Sequence, residues 1–203
     1  GLESLGYTEN LEKYRIENNL ESFELGRVAV EHKERYLVKT ADGEVDAEIT
    51  GNLRFSAQER ADFPAIGDWV AISVYDDSFA LIHHIFPRKS ILQRQAVGKF
   101  GQIQIIAANI DFALIMQGVD HDFNVNRLER YLAVCHSGNV EPIVLLSKID
   151  LITPNELQAK IYHIKSRHPH IPIIPFSNIS MSGYDQIREK LQPSMTYCII
   201  GSS

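Results

Sequence analysis

The 203-residue sequence predicts two folded parts of different class: a small all-β barrel, then an α/β domain built on a parallel sheet. Three observations predict this. Residues 23–92 are short alternating runs of polar and apolar residues punctuated by turns. From Asp111 onward, continuous apolar runs alternate with segments of helical period. The stretch 87–110 follows neither pattern and reads as the join. At 44% hydrophobic and 23% charged, the chain falls with globular proteins. No apolar run approaches the roughly 18–20 residues that span a bilayer, so no membrane partner is expected. The start, Gly1-Leu2-Glu3-Ser4, is polar and acidic and does not read as a secretory leader. A cytoplasmic monomer is the expectation.

In chain order, residues 1–22 carry Leu2, Leu5, Leu11, Tyr14 and Ile16 among many charges, as a short helix or docked arm would. Arg27–His32 and Arg35–Thr40 read as strands joined by a tight loop. Asp42-Gly43 is a hairpin signal before a third strand, Val45–Thr50. A polar loop, 52–65, leads to a fourth strand, Gly67–Val74, and a turn leads to a fifth, Ala80–Phe86. Five short strands in about 70 residues fit a small closed barrel, of which the OB-fold, often an oligonucleotide binder, is the commonest. A barrel without a ligand fits the same pattern. His83 and His84 are adjacent, so in a strand they face opposite ways and form no joint metal site.

The join, whose strict linker is set at 93–110, has no acidic residue between Asp77 and Asp111 but contains Arg88, Lys89, Arg94 and Lys99. With Arg27 and Arg54 from the barrel, these six cations are the candidates to meet RNA phosphates. An ordinary solvated linker fits the composition as well. The net charge of −6 argues against a general nucleic-acid binder.

In the second part, Phe112–Met116 and Pro142–Leu146 read as buried parallel strands. Asn124–His136 has Val125, Leu128, Leu132 and Cys135 at helical spacing, closed by Ser137-Gly138-Asn139. Thr153 reads as the cap of a helix with Pro154 in its first turn. Ile171–Phe176 is a strand whose prolines favour an edge or an end, Gly183–Leu191 a short helix, and Thr196–Ile200 the last strand. Cys135 and Cys198 read as core thiols, not as a disulfide or a zinc site.

Sheets of this kind bind ligands at the carboxyl ends of their strands, and three candidate loops fall there. Ser147-Lys148-Ile149-Asp150 follows a buried strand. A carboxylate at Asp150 can accept from both the ring N–H and the exocyclic amino group of guanine, a donor pair adenine lacks. Lys148 can lay its methylene stem along the base, and Ser147 can tie the loop to a neighbour. At Ser177-Asn178 a backbone N–H can reach the guanine carbonyl oxygen. Gly201-Ser202-Ser203, after an apolar strand, is a possible opening of a phosphate-binding loop.

The order and spacing of several segments resemble the ribosome small-subunit-dependent GTPase A family, which are circularly permuted GTPases of the YjeQ/RsgA kind. The segments are Gly26-Arg27-Val28, Gly67-Asp68-Trp69-Val70, Pro87 to Arg94, Ala107 to Asp111, Phe123 to Leu132, Leu146 to Leu151 and Ile199 to Ser203. The resemblance implies a multi-domain β plus α/β protein. An N-terminal OB-fold β-barrel (23–92) would precede a partial, circularly permuted P-loop GTPase α/β domain (111–203) with a parallel sheet. It also implies GTP and GDP as ligands with Mg²⁺, hydrolysis stimulated by the small ribosomal subunit and its rRNA, and a role in late maturation of that subunit. The family's zinc domain would lie beyond these residues, so no metal ligand is expected in this chain. The chain departs from the family pattern at Ser147, where Asn or Thr is usual, and at Asn178, where Ala is common. Its 52–62 loop is also less basic. Read as ending at Ser203, the chain lacks the phosphate-loop Lys, so turnover is expected of the intact protein and not of this piece. Two other readings stay open: a non-catalytic rRNA-binding module with a degenerate nucleotide site, and an α/β domain for another nucleotide.

Overall fold

The computed structural model describes residues 1–76, 78–95 and 103–201, in two compact units, 1–110 and 111–203. The first unit is built on five strands: β1 (Glu24–His32), β2 (Arg35–Thr40), β3 (Gly43–Ile49), β4 (Trp69–Tyr75) and β5 (Phe79–Ile85). They close in the order β1-β2-β3-β5-β4, with β1 pairing back to β4 and β3 lying parallel to β5, an OB-type barrel. The period-2 pattern explains the core. Tyr36, Val38, Val45, Ala47, Ile49, Val70, Ile72, Ala80 and Ile82 alternate along their strands and meet inside. The odd residues of β4, Trp69 and Ala71, face outward onto a second apolar cluster with Leu20, Leu25 and Phe86.

The N-terminal arm covers that cluster. Helix α1 (Glu9–Glu17), capped where Thr8 accepts from the Leu11 N–H, lays Leu11 and Tyr14 on it, joined by Leu2, Leu5 and Tyr7. Tyr14 also hydrogen-bonds His84 at 2.7 Å, while His83 meets Ser73 at 2.8 Å, so the two imidazoles face different partners. The 52–65 segment, predicted as loop, contains helix α2 (Gly51–Ser56), capped where Thr50 Oγ1 accepts from the Leu53 N–H, and a short 3₁₀ turn, Arg60–Asp62. Six residues are too few to display a helical period, which is why the helix was not legible.

The predicted linker, 93–110, differs most. Strands β6 (Ile91–Gln95) and β7 (Ile103–Ala108) pair antiparallel as a ribbon, and the ribbon belongs to the barrel's unit. The reason is burial at its base: Leu92, Ala107, Ala108 and Ile110 are all within the core. Gly67 makes the junction possible. Its φ is +93°, and a Cβ there would stand 2.0 Å from the Ala108 carbonyl oxygen, so only glycine fits. The Ala108 N–H donates to the Ile66 carbonyl at 2.8 Å, and Asn109 Nδ2 donates to the Gly67 carbonyl at 2.9 Å.

The second unit alternates as predicted: β8 (Phe112–Gly118), α3 (Val125–Ser137), β9 (Glu141–Ser147), α4 (Pro154–Arg167), β10 (Ile173–Pro175), α5 (Tyr184–Lys190) and β11 (Tyr197–Gly201). The sheet order is β10-β9-β8-β11, and every pairing is parallel. Helix α3 buries Leu128, Leu132 and Cys135 on one stripe, and Asn124 caps it by accepting from the Arg127 N–H at 3.0 Å. Helix α4 begins with a reciprocal capping box between Thr153 and Glu156 and has Pro154 in its first turn. Cys135 and Cys198 are unbridged, and burial pushes the Cys135 thiol up to about 11.

Candidate guanine-recognition site

Because the four strands are parallel, Gly118, Ser147, Pro175 and Gly201 all end at one sheet edge. The loop after β9 turns sharply at Lys148, which adopts a left-handed backbone (φ 63°), into a 3₁₀ turn, Ile149–Leu151. At Ser147 the backbone carbonyl oxygen accepts from the Val119 N–H at 3.1 Å, a bond to the neighbouring loop that does not involve the serine hydroxyl. The Ile149 N–H reaches the Phe176 carbonyl at 3.4 Å and so links the loop to β10's end.

Asp150 is exposed, yet its carboxylate is fixed. Ser177, fully buried, donates its hydroxyl to Asp150 Oδ1 at 2.6 Å. The same hydroxyl oxygen accepts from the backbone N–H groups of Ile179 (3.1 Å) and Ser180 (3.2 Å). A charged acceptor held at one oxygen and open to solvent is well suited to reading a pair of N–H donors. Ser177 thus anchors the carboxylate through its side chain. Its own N–H donates to the Ser182 carbonyl at 3.0 Å, which leaves that of Asn178 as the candidate backbone donor. The Asn178 side chain is itself anchored, accepting from the Tyr184 hydroxyl. The signal that could have been read is a small hydroxyl residue directly after a strand, a type that bonds N–H groups two and three residues on.

Lys148 does not hang free. Its ammonium lies 3.4 Å from Asp120 Oδ2 and 3.6 Å from Asp122 Oδ2, both in the loop after β8. Asp120 also accepts from the Asp122 N–H at 3.2 Å. That N–H, then Lys148, holds the Asp120 carboxyl below its ordinary range, and the Asp120 contact raises Lys148. The loop is braced from α3's start: Arg127 donates to the Asp122 carbonyl at 2.7 Å, and Gln117 to the Asn124 carbonyl at 2.8 Å. Nothing in the sequence motif pointed to Asp120 or Asp122.

Gly201 ends β11 at the same edge, with φ +150°. A Cβ there would come within 2.4 Å of the Met116 carbonyl oxygen, so the strand approaches β8 closely at that point. Ser202 and Ser203 lie outside the described residues.

The candidate RNA contacts divide in two. Arg27 and Arg88, expected to face phosphates, are instead internal braces. Arg27 donates to the carbonyls of Gly67 (2.9 Å), Leu5 (2.7 Å) and Asn109 (2.8 Å) and stacks over Trp69. Arg88 clasps the buried Asp68 through two bonds, 2.8 and 2.7 Å, and donates to the carbonyls of Ala61 and Phe63. Burial pushes the Asp68 carboxyl up, and the guanidinium opposes that push. Arg54, Lys89 and Arg94 are exposed; Arg54 pairs with Glu34, and Arg94 lies 3.4 Å from Gln104 on the ribbon. Lys99 lies outside the described residues.

The sequence profile of the RsgA GTPase family matches residues 85–203. The small ribosomal subunit biogenesis GTPase RsgA 2 of Lactiplantibacillus plantarum is 38% identical over 88% of this chain and 50% of that protein. RsgA of Opitutus terrae is 35% identical over 90% of this chain and 52% of that protein. The chain thus spans about half the length of the curated relatives it matches. Among solved structures, YjeQ from Thermotoga maritima superposes with a TM-score of 0.70 at 18% identity, over 89% of this chain and 60% of that one. YloQ, a circularly permuted GTPase, gives 0.66 at 19% identity over the same shares. These two carry the fold, and the profile match carries the family: the chain belongs to the RsgA GTPase family.

Proposed function

We propose that this chain is the barrel and the base-reading half of a GTPase that acts in biogenesis of the small ribosomal subunit in the cytoplasm. The observation that supports it most directly is the Ser177–Asp150 bond, which presents an exposed carboxylate at the sheet edge where β11 ends in Gly201. Asp150 accepts from the guanine ring N–H and amino group, the Lys148 stem lies along the base, and the Asn178 N–H meets the base carbonyl. The ribose and phosphates then run toward Gly201 and the two serines after it. Mg²⁺ neutralises phosphate charge in GTP hydrolysis; the described residues hold the base. Among the described residues Asp120, His121 and Asp122 form a three-ligand cluster, and two of its carboxylates also face the Lys148 ammonium. The RNA-facing role rests on Lys89, Arg94 and Arg54. A purely RNA-binding module would lose two of its six candidate cations, Arg27 and Arg88, to internal bonds.

Calorimetric titration of the full-length gene product with GDP, ADP and xanthosine diphosphate tests this. Asp150→Asn is expected to weaken GDP by about 1–3 kcal/mol and to favour the xanthine nucleotide, whose second carbonyl accepts from the new amide. Unchanged GDP preference in that variant would overturn the assignment.

A further inference from the structure

Lys148 has two jobs to reconcile. Its stem must lie in one place to face a base, yet a free lysine side chain loses about 2 kcal/mol of rotamer freedom when ordered. The structure solves this before any ligand arrives. The stem passes Gly118, where an added Cβ would lie 3.7 Å from Lys148 Cδ and 2.8 Å from Asp120 Oδ1. Its end is met by Asp120 and Asp122 at 3.4 and 3.6 Å. Asp120 is itself largely covered, its side chain 15% exposed, and the loop that holds it is pinned by Arg127 and Gln117. Lys148, by contrast, is 48% exposed along the side chain, so the stem is fixed at its tip while much of its length stays open.

We propose that Asp120, assisted by Asp122, is a positioning residue for guanine recognition: it clasps the Lys148 ammonium so that the lysine stem stands ready as one wall of the base slot. This rests on the guanine reading above. The clasp does not touch the nucleotide. It acts by removing an ordering cost from binding, which is the general logic of preorganisation. The glycine at position 118 belongs to the same device, because a Cβ there would stand 2.8 Å from Asp120 Oδ1 and push the carboxylate out of its present place.

The test is a double-mutant cycle on GDP affinity in the full-length gene product, with Asp120→Asn and Lys148→Met. Asn keeps the oxygen that accepts from the Asp122 N–H, so the turn survives while the charge is lost. Asp120→Asn is expected to weaken GDP by about threefold, the scale of a partly exposed ion pair. In the Lys148→Met background the same change is expected to have no further effect. Asp120→Glu is expected to recover most of the loss, since its carboxylate still reaches the ammonium. An equal loss in both backgrounds would make Asp120 a merely structural residue, and no loss in either would remove the clasp. Asp150→Asn separates the two claims. If it loses guanine preference while Asp120→Asn does nothing, the clasp alone falls. If it keeps guanine preference, the base-reading assignment falls with it.

Discussion

Two aspartate–cation contacts, one in each unit, look alike on paper and do opposite work. Asp68 and Arg88 meet at 2.7 Å with side chains 0% and 11% exposed. Asp120 and Lys148 meet at 3.4 Å with side chains 15% and 48% exposed. The first pair sits under the Gly67–Trp69 turn, and its guanidinium also closes the carbonyls of Ala61 and Phe63, so it fastens the β3–β4 connection to the barrel. The second leaves about half of its cation's side chain in water, at the edge of a sheet where ligands bind. The difference teaches that a charged residue's role follows from how much of it remains accessible once its partners are counted. Residue type alone shows neither the enclosure of Arg88 nor the exposure of Lys148.

The largest effect should come from breaking the buried pair. Removing one partner strands the other's charge, so Arg88→Met is expected to cost about 3–5 kcal/mol in urea denaturation. The pH dependence has a definite sign. Burial already raises the Asp68 carboxyl, and without Arg88 it rises further. A carboxyl whose folded pKa is raised favours the folded state at low pH and penalises it as pH climbs through that value. The Arg88→Met deficit should therefore shrink on acidification toward the carboxylate range. A deficit that is flat with pH would mean that Asp68 is not left charged and unpaired. Next in size is the Asp150→Asn change in nucleotide preference, about 1–3 kcal/mol, with no matching loss of stability because Asp150 is exposed. Ser177→Ala follows. It removes a buried hydroxyl that serves Asp150, Ile179 and Ser180 together, so about 1 kcal/mol of stability should go, along with part of the guanine affinity. Thermal melts and GDP titration of the same sample would read both, and a loss of stability without a loss of affinity would show that Ser177 does not orient the carboxylate.

The comparison also explains what was legible in the sequence. The barrel strands could be read because each has one face inside: Val45, Ala47 and Ile49 are buried while Glu44, Asp46 and Glu48 are not. The α4 start could be read because Thr153, Pro154 and Glu156 are local signals. The ribbon is not legible because its burial comes from contacts such as Ala108 with Ile66, 42 residues away (108 − 66), and not from its own alternation. The internal bonds of Arg27 and Arg88 are invisible in the sequence for the same reason. Charge is visible in a sequence, whereas the carbonyls of Gly67, Asn109 and Phe63 that engage those guanidinium groups are brought together only by the closed barrel. In the site, Asp150 was legible as chemistry. Its anchor, Ser177, and the nearer partner of Lys148, Asp120, lie in other loops, 27 and 28 residues away, and the parallel sheet brings them together.

The smallest effect sharpens the same contrast from the other side. Arg94 is exposed on the ribbon, and among the described residues it makes a long 3.4 Å contact to Gln104, so it is open to solvent where Arg88 is not. Arg94→Gln should leave the thermal midpoint where it was, since no buried group loses a partner. If the ribbon meets rRNA phosphates, the slope of log affinity against log salt should flatten by about one unit, and affinity should fall similarly for unrelated RNA sequences. Arg88→Met, measured at a temperature where it stays folded, should leave that slope unchanged. The reverse outcome, a flattened slope for Arg88→Met and none for Arg94→Gln, would mean that the internal bonds of Arg88 open on RNA. Accessibility in the free protein would then be the wrong guide to which cations carry the interaction.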